Sequence, residues 1–125
     1  MKSNSIIKEK SFKFAVRTIR LYQFLINDKK EYVLSKQLLR SGTSIGANIN
    51  EALQGSSKKD LINKLNISLK EAKEKEYWIS LLKETDYLSD NQATSILEDC
   101  VELIKILVAL IKSSKSNIQN TEKFK

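Results

Sequence analysis

The chain has 125 residues, 41% hydrophobic and 30% charged, with a formal charge of +7, no histidine, no proline and three glycines. That length and balance suit one soluble domain with a real core, and the scarcity of proline and glycine points to long, unbroken helices. Missing histidine removes the commonest general base and the commonest transition-metal ligand; with no zinc, calcium or nucleophile pattern in its place, we expect no catalysis, no cofactor and no metal.

The lone Cys100 falls on an apolar stripe and reads as a buried reduced thiol. One cysteine allows no internal disulfide, and a reducing, cytoplasmic setting fits. No apolar run approaches the roughly 20 residues that cross a bilayer, and no cleavable apolar leader opens the chain.

Apolar spacing predicts a first helix near 6–26 with a core face of Phe12, Ala15, Val16, Ile19, Tyr22 and Ile26. Lys10, Lys13, Arg17 and Arg20 recur at three, four, three along one edge, and Glu9 is the only acid in that helix. Lys29, Lys30 and Lys36 extend the basic region around the first turn. Residues 1–40 hold ten Lys/Arg against three Asp/Glu, so the whole excess charge lies in the first third. A cationic helix edge is often only solvated surface; concentrated like this, it suits a phosphate backbone read without base specificity.

Asn27 suits a left-handed turn, and Asp28 with Glu31 spells a capping box. A second helix is expected at 29–54, its core stripe Leu34, Leu38, Ile45, Ile49 and Ala52. Within it, "LLRSGTSIGANINEA" (38–52) places Gly42 and Gly46 one turn apart beside that stripe. No strand precedes them and no lysine–serine ending follows, so a phosphate loop is excluded. Removing side chains there lets another backbone approach closely, and a bend near Gly46 is expected.

Gly55 suits a second left-handed turn, and Ser57 with Asp60 a second capping box, before a third helix at 58–86. Its expected stripe is Leu61, Ile62, Leu65, Leu69, Ala72 and Ile79, with Glu76 in the middle. A carboxylate there must find a partner, and Arg40, Lys36, Ser41 and Asn48 are the candidates. Ser89 and Gln92 cap a fourth helix at 90–115, whose apolar residues cover an arc of roughly 200°, wider than a surface helix buries. Leu103, Ile106 and Leu110 on its flank, with Ile67, Trp78 and Leu81 on the far side of the third helix, are the expected oligomer interface. A hetero-partner is the competing reading. Short connections make this an all-α, antiparallel up-down-up-down four-helix bundle over residues 1–115, followed by a polar tail, 116–125, expected to be disordered.

The runs "YVLSKQLLRSGTSIGANINEA" (32–52) and "KKDLINKLNISLKEAKEKEYWISLL" (58–82) resemble the four-helix-bundle family of 23S ribosomal RNA intervening-sequence proteins. The likeness covers about residues 8–110, and relatives often carry proline where this chain has Gly46. Matching the family's polar signature are Arg40, Ser44, Asn48, Glu51, Glu71 and Glu76, read here as a structural polar cluster. The resemblance implies a ring-like homopentamer of small bacterial proteins without established catalytic activity. It also implies kinship with the nucleic-acid-binding accessory subunit of diversity-generating retroelements. The expected function is thus a non-enzymatic homo-oligomeric scaffold that holds RNA or DNA on Lys10, Lys13, Arg17, Arg20, Lys29, Lys30 and Lys36. The alternative is a protein-interaction scaffold with no nucleic-acid role.

Overall fold

A computed structural model of the chain describes the backbone of residues 2–55 and 57–123, and side chains from 4 to 116 except residue 56. Four helices follow one another, α1 (Lys2–Asn27), α2 (Leu34–Gln54), α3 (Lys58–Glu84) and α4 (Asp90–Lys123). Each packs on its neighbour in sequence, and α4 closes the ring against α1, the pair that meets least. Among the described residues the backbones of the diagonal pairs do not approach, and only side chains bridge them. This is the antiparallel four-helix bundle that the short connections predict.

The helix ends show which signals the chain uses. Ser89 and Gln92 form a complete capping box, each backbone N–H donating to the other's side chain at 2.9 and 3.1 Å. Ser57 accepts from the Asp60 N–H at 3.1 Å. The Asp28–Glu31 box does not form. Instead the Glu31 carboxylate accepts from the N–H groups of Val33, Leu34 and Ser35 at 3.0, 2.9 and 2.6 Å, so α2 begins at Leu34 and not at 29. Burial alone would raise the Glu31 pKa; the three amides outweigh it and hold the carboxyl below its ordinary value. Among the described residues the left-handed ones are Lys30 (φ 55°) and Asp86 (φ 67°), not Asn27, which ends α1, nor Gly55, which is extended at φ −63°. Neither proline nor glycine follows residue 55, and α4 runs past the predicted end at 115. Of the tail 116–125 that is expected to be disordered, the backbone is described as far as residue 123 and the side chain of Ser116 alone.

The core is apolar, with Leu25, Leu38, Ile45, Ile49, Leu65, Ile79, Leu82 and Leu107 fully buried. Two faces differ from expectation. Helix α1 turns Ile7, Ser11, Phe14, Thr18 and Leu25 inward and leaves Phe12, Val16 and Ile19 exposed. Helix α3 buries Leu65, Ser68, Ala72, Lys75, Ile79 and Leu82, so the buried charge is Lys75 and not Glu76. The two candidate stripes share Leu65, Ala72 and Ile79; between these, Ser68 and Lys75 face inward in place of Leu69 and Glu76, a rotation of about 50°.

Helix α2 runs unbroken through both glycines. A Cβ on Gly42 would fall on Lys75 Nζ and on the Thr18 side chain, whereas one on Gly46 would rest 3.5 Å from the Ser11 carbonyl, an ordinary contact. Gly42 therefore makes room for the buried amine, and Gly46 merely lies against α1. Gly42→Ala should destabilise the bundle by about 1–3 kcal/mol through overpacking. Gly46→Ala should leave it unchanged or stabilise it by up to about 1 kcal/mol through helix propensity. Urea unfolding followed by circular dichroism measures both.

Candidate functional site

All four helices meet at Lys75. Its Nζ donates to Thr18 Oγ1 from α1 and lies 4.5 Å from the centre of the Phe14 ring. Thr18 in turn donates to the Phe14 carbonyl at 2.9 Å, and α2 contributes the gap at Gly42. From α4, buried Cys100 donates its S–H to the Ala72 carbonyl at 3.2 Å. Burial, with help from the nearby Arg17 charge, pushes the Lys75 amine down to about 7. Burial likewise pushes the Cys100 thiol up to about 12. Both groups are enclosed, and none of the four surface grooves described for this fold is lined by either. Among the described residues no cluster of His, Cys, Asp and Glu could hold a metal ion. No helix among the described residues is long and apolar enough to cross a membrane.

The expected polar cluster is only partly assembled. Arg40 reaches Glu71 at 3.5 Å and Glu74, which the sequence reading left out, at 2.9 Å. Ser44 and Asn48 donate to carbonyls of their own helix, at Ser41 and Ser44. Glu51 forms a separate pair with Lys64 at 2.7 Å. Glu76 is half-buried and makes no ion pair among the described residues. One Glu71 oxygen and the Trp78 indole N–H are buried without a partner among the described residues.

The basic row is not a free edge. Lys10 pairs with Glu102 at 2.5 Å, and Arg17 with Asp99 at 2.6 Å and with the Ser95 carbonyl at 3.2 Å. The hydrogen bond and charge of Glu102 raise the Lys10 pKa. Lys13 pairs with Glu9 at 2.9 Å within α1. Arg20, Lys29, Lys30 and Lys36 are exposed and unpaired among the described residues. The matching signal was present in the sequence: Ser95, Asp99 and Glu102 repeat at four and three, complementing Lys10, Lys13 and Arg17 in an antiparallel neighbour.

The open apolar surface also lies elsewhere than expected. Leu103 is 1% exposed, deep in the core, because it faces inward one turn from Cys100 and Leu107. Ile67, Trp78, Leu81, Ile106 and Leu110 are half-buried within the chain. An uncovered row lies on α1, where Phe12 is 68% exposed with Val16 and Ile19 beside it; Tyr77 on α3 and Val108 on α4 are exposed singly. Next to the α1 row, α1 and α2 enclose a groove of about 470 Å³ floored by Ser11, Ala15, Gly46 and Ala47.

The buried amine and thiol set the pH dependence. Between pH 7 and 10.5 the unfolded chain binds a proton at Lys75 that the folded chain lacks, so stability rises with pH by up to about 1.4 kcal/mol per unit. Between 9 and 12 the folded chain keeps the Cys100 proton that the unfolded chain loses, so that contribution falls. Together they predict a rise from about 7 to 9, a plateau to 10.5 and a decline beyond. Lys75→Met should remove the rise, as measured by urea unfolding at stepped pH.

The profile of one protein family, described as 23S rRNA-intervening sequence protein, matches residues 3–109. A crystal structure from Bacteroides thetaiotaomicron, described as a protein with unknown function from the S23 ribosomal protein family, superposes with a TM-score of 0.87. It is 55% identical over 88% of this chain and 98% of its own. No protein of curated function matches. With its four antiparallel helices and its profile match over residues 3–109, the chain belongs to the 23S rRNA-intervening sequence protein family.

Proposed function

We propose that this protein is a non-enzymatic scaffold that self-associates through α1 and presents a basic end to RNA or another nucleic acid. The observation that carries it is the row Phe12, Val16 and Ile19, which the bundle leaves in solvent although each is a good core residue. Gathered copies would hide that row and multiply the cations of each subunit. The cations available are Arg20, Lys29, Lys30 and Lys36, near and within the α1–α2 turn, since Lys10 and Arg17 are engaged by α4. Five copies, the number the family resemblance implies, would make a ring of such ends. The kinship with a nucleic-acid-binding accessory subunit that the family resemblance implies supports the choice of ligand.

A second reading, a protein-docking scaffold without a nucleic-acid role, is favoured by the ion pairs of Lys10, Lys13 and Arg17, which remove three of the seven expected phosphate contacts. Light scattering behind size exclusion should give a mass several times the 14.3 kDa of one chain. RNA affinity should fall by roughly one to two orders of magnitude between roughly 50 and 200 mM salt, the slope expected for about four phosphate contacts. Replacing Arg20, Lys29, Lys30 and Lys36 with glutamate should abolish it. An assembled protein that binds no RNA at low salt, or binds it without salt dependence, belongs to the second reading.

A further inference from the structure

The turn between α1 and α2 carries more exposed apolar surface than a connection needs. Tyr32 is 54% exposed and Val33 73%, and both stand outside the core cluster. Lys29, Lys30 and Lys36 beside them are exposed and make no ion pair among the described residues. Lys29 stands 5.9 Å from the centre of the Phe24 ring, a contact that leaves its charge unneutralised. Lys30 holds a left-handed backbone, φ 55°, which glycine or asparagine adopts more readily. A turn that only reversed the chain would be served better by small polar residues. This one sets cations, a phenol ring and a valine side by side in solvent.

The turn is also stiff. The Glu31 N–H donates to the Leu25 carbonyl at 2.9 Å, and the Ser35 hydroxyl donates to the Glu31 carbonyl at 2.7 Å. The buried Glu31 carboxylate is bonded to the three amides that follow Tyr32. Both neighbours of Tyr32 are thus fixed, and little backbone freedom is left to lose when a ligand meets the ring. The Glu31 charge is spent on the first turn of α2, so Asp28 is the one free acid beside three lysines. The first amides of α2 are taken as well, and a phosphate here must be met by lysines and not by the helix terminus.

The other connection at this end of the bundle is opposite in sign, with Glu84, Asp86 and Asp90 against Lys83. A polyanion is thereby kept to the α1–α2 side, where Arg20 lies about 10 Å down α1 from its end at Asn27. An exposed ring among cations suits one ligand chemistry, an unpaired base to stack with phosphates on either side of it. A duplex offers the phosphates but keeps its bases within its own stack.

We infer that Tyr32 stacks an unpaired base of a single-stranded nucleic acid whose phosphates lie on Lys29, Lys30 and Lys36, so that this end of the bundle selects single strands over duplexes. This rests on the nucleic-acid binding proposed above and names the form of ligand the site takes.

Fluorescence anisotropy at low salt tests it, with labelled oligouridine and oligothymidine and an RNA duplex of the same length. Wild type should bind the strands more tightly than the duplex. Tyr32→Leu keeps apolar bulk but removes the ring. It should weaken strand binding about tenfold, the effect of one stacked base, and leave duplex binding and the salt dependence unchanged. Tyr32→Phe should bind as wild type does. A loss confined to one sugar assigns the site to that strand. Oligouridine carrying iodouridine should photo-crosslink to wild type at Tyr32, read by peptide mass, and this arm stands even if Tyr32→Leu unfolds. A preference for the duplex, strand binding untouched in a folded Tyr32→Leu, or a cross-link that falls elsewhere overturns the stacking and leaves the basic end standing. Wild type that binds neither strand nor duplex overturns the nucleic-acid reading itself.

Discussion

Helix α1 carries apolar residues on two sides, and a four-helix bundle has one interior. Its rotation about its own axis is the constraint on which the rest depends. Hydrophobicity alone does not choose between them: the observed bundle buries Ile7, Phe14 and Leu25 together with Ser11 and Thr18, and leaves Phe12, Val16 and Ile19 outside. Polar contacts fix that choice. Thr18 must face the core to receive Lys75, and Arg17 and Lys10 must face α4 to meet Asp99 and Glu102. A rotation of about 100° would lose these pairs together and leave the buried Lys75 amine without its acceptor, a loss of about 1–3 kcal/mol. The exposed row follows from the buried amine.

Lys75 also explains Gly42. In isolation that glycine costs about 1 kcal/mol relative to alanine within a helix. Seen from α3, it is the space an ammonium needs between α1 and α2. The amine has an acceptor in Thr18 and an aromatic face in Phe14 but no carboxylate partner among the described ion pairs. It is therefore held by neutral groups, which accounts for its depressed basicity.

Element existence and connectivity were legible because capping residues and apolar periodicity are local signals. Ser57, Ser89 and Gln92 act as read. The start of α2 was misread because Glu31 can serve either as the third residue of a box or as the cap itself, and only the path of the chain decides. Facial assignment failed where two stripes of similar strength compete, on α1 outright and on α3 in part. Of the polar cluster, the Arg40–Glu71 contact was foreseeable from helix pairing, whereas Glu74 and Lys75 were not singled out. The neutralisation of the basic row was missed because its acids lie some 80 residues downstream, on a helix read only for its grease.

The four seams of the bundle are unequal. Apolar side chains fill those along α2 and α3, while α1 and α4 approach least and are joined at their margin by Arg17–Asp99 and Lys10–Glu102. Half-exposed pairs of that kind are weak and screened by electrolyte. The molecule is thus bound like a book, with α2 and α3 as the spine and the first and last helices as covers held by an ionic clasp. Amide exchange would accordingly be slowest along the spine, and local opening would begin where the covers meet.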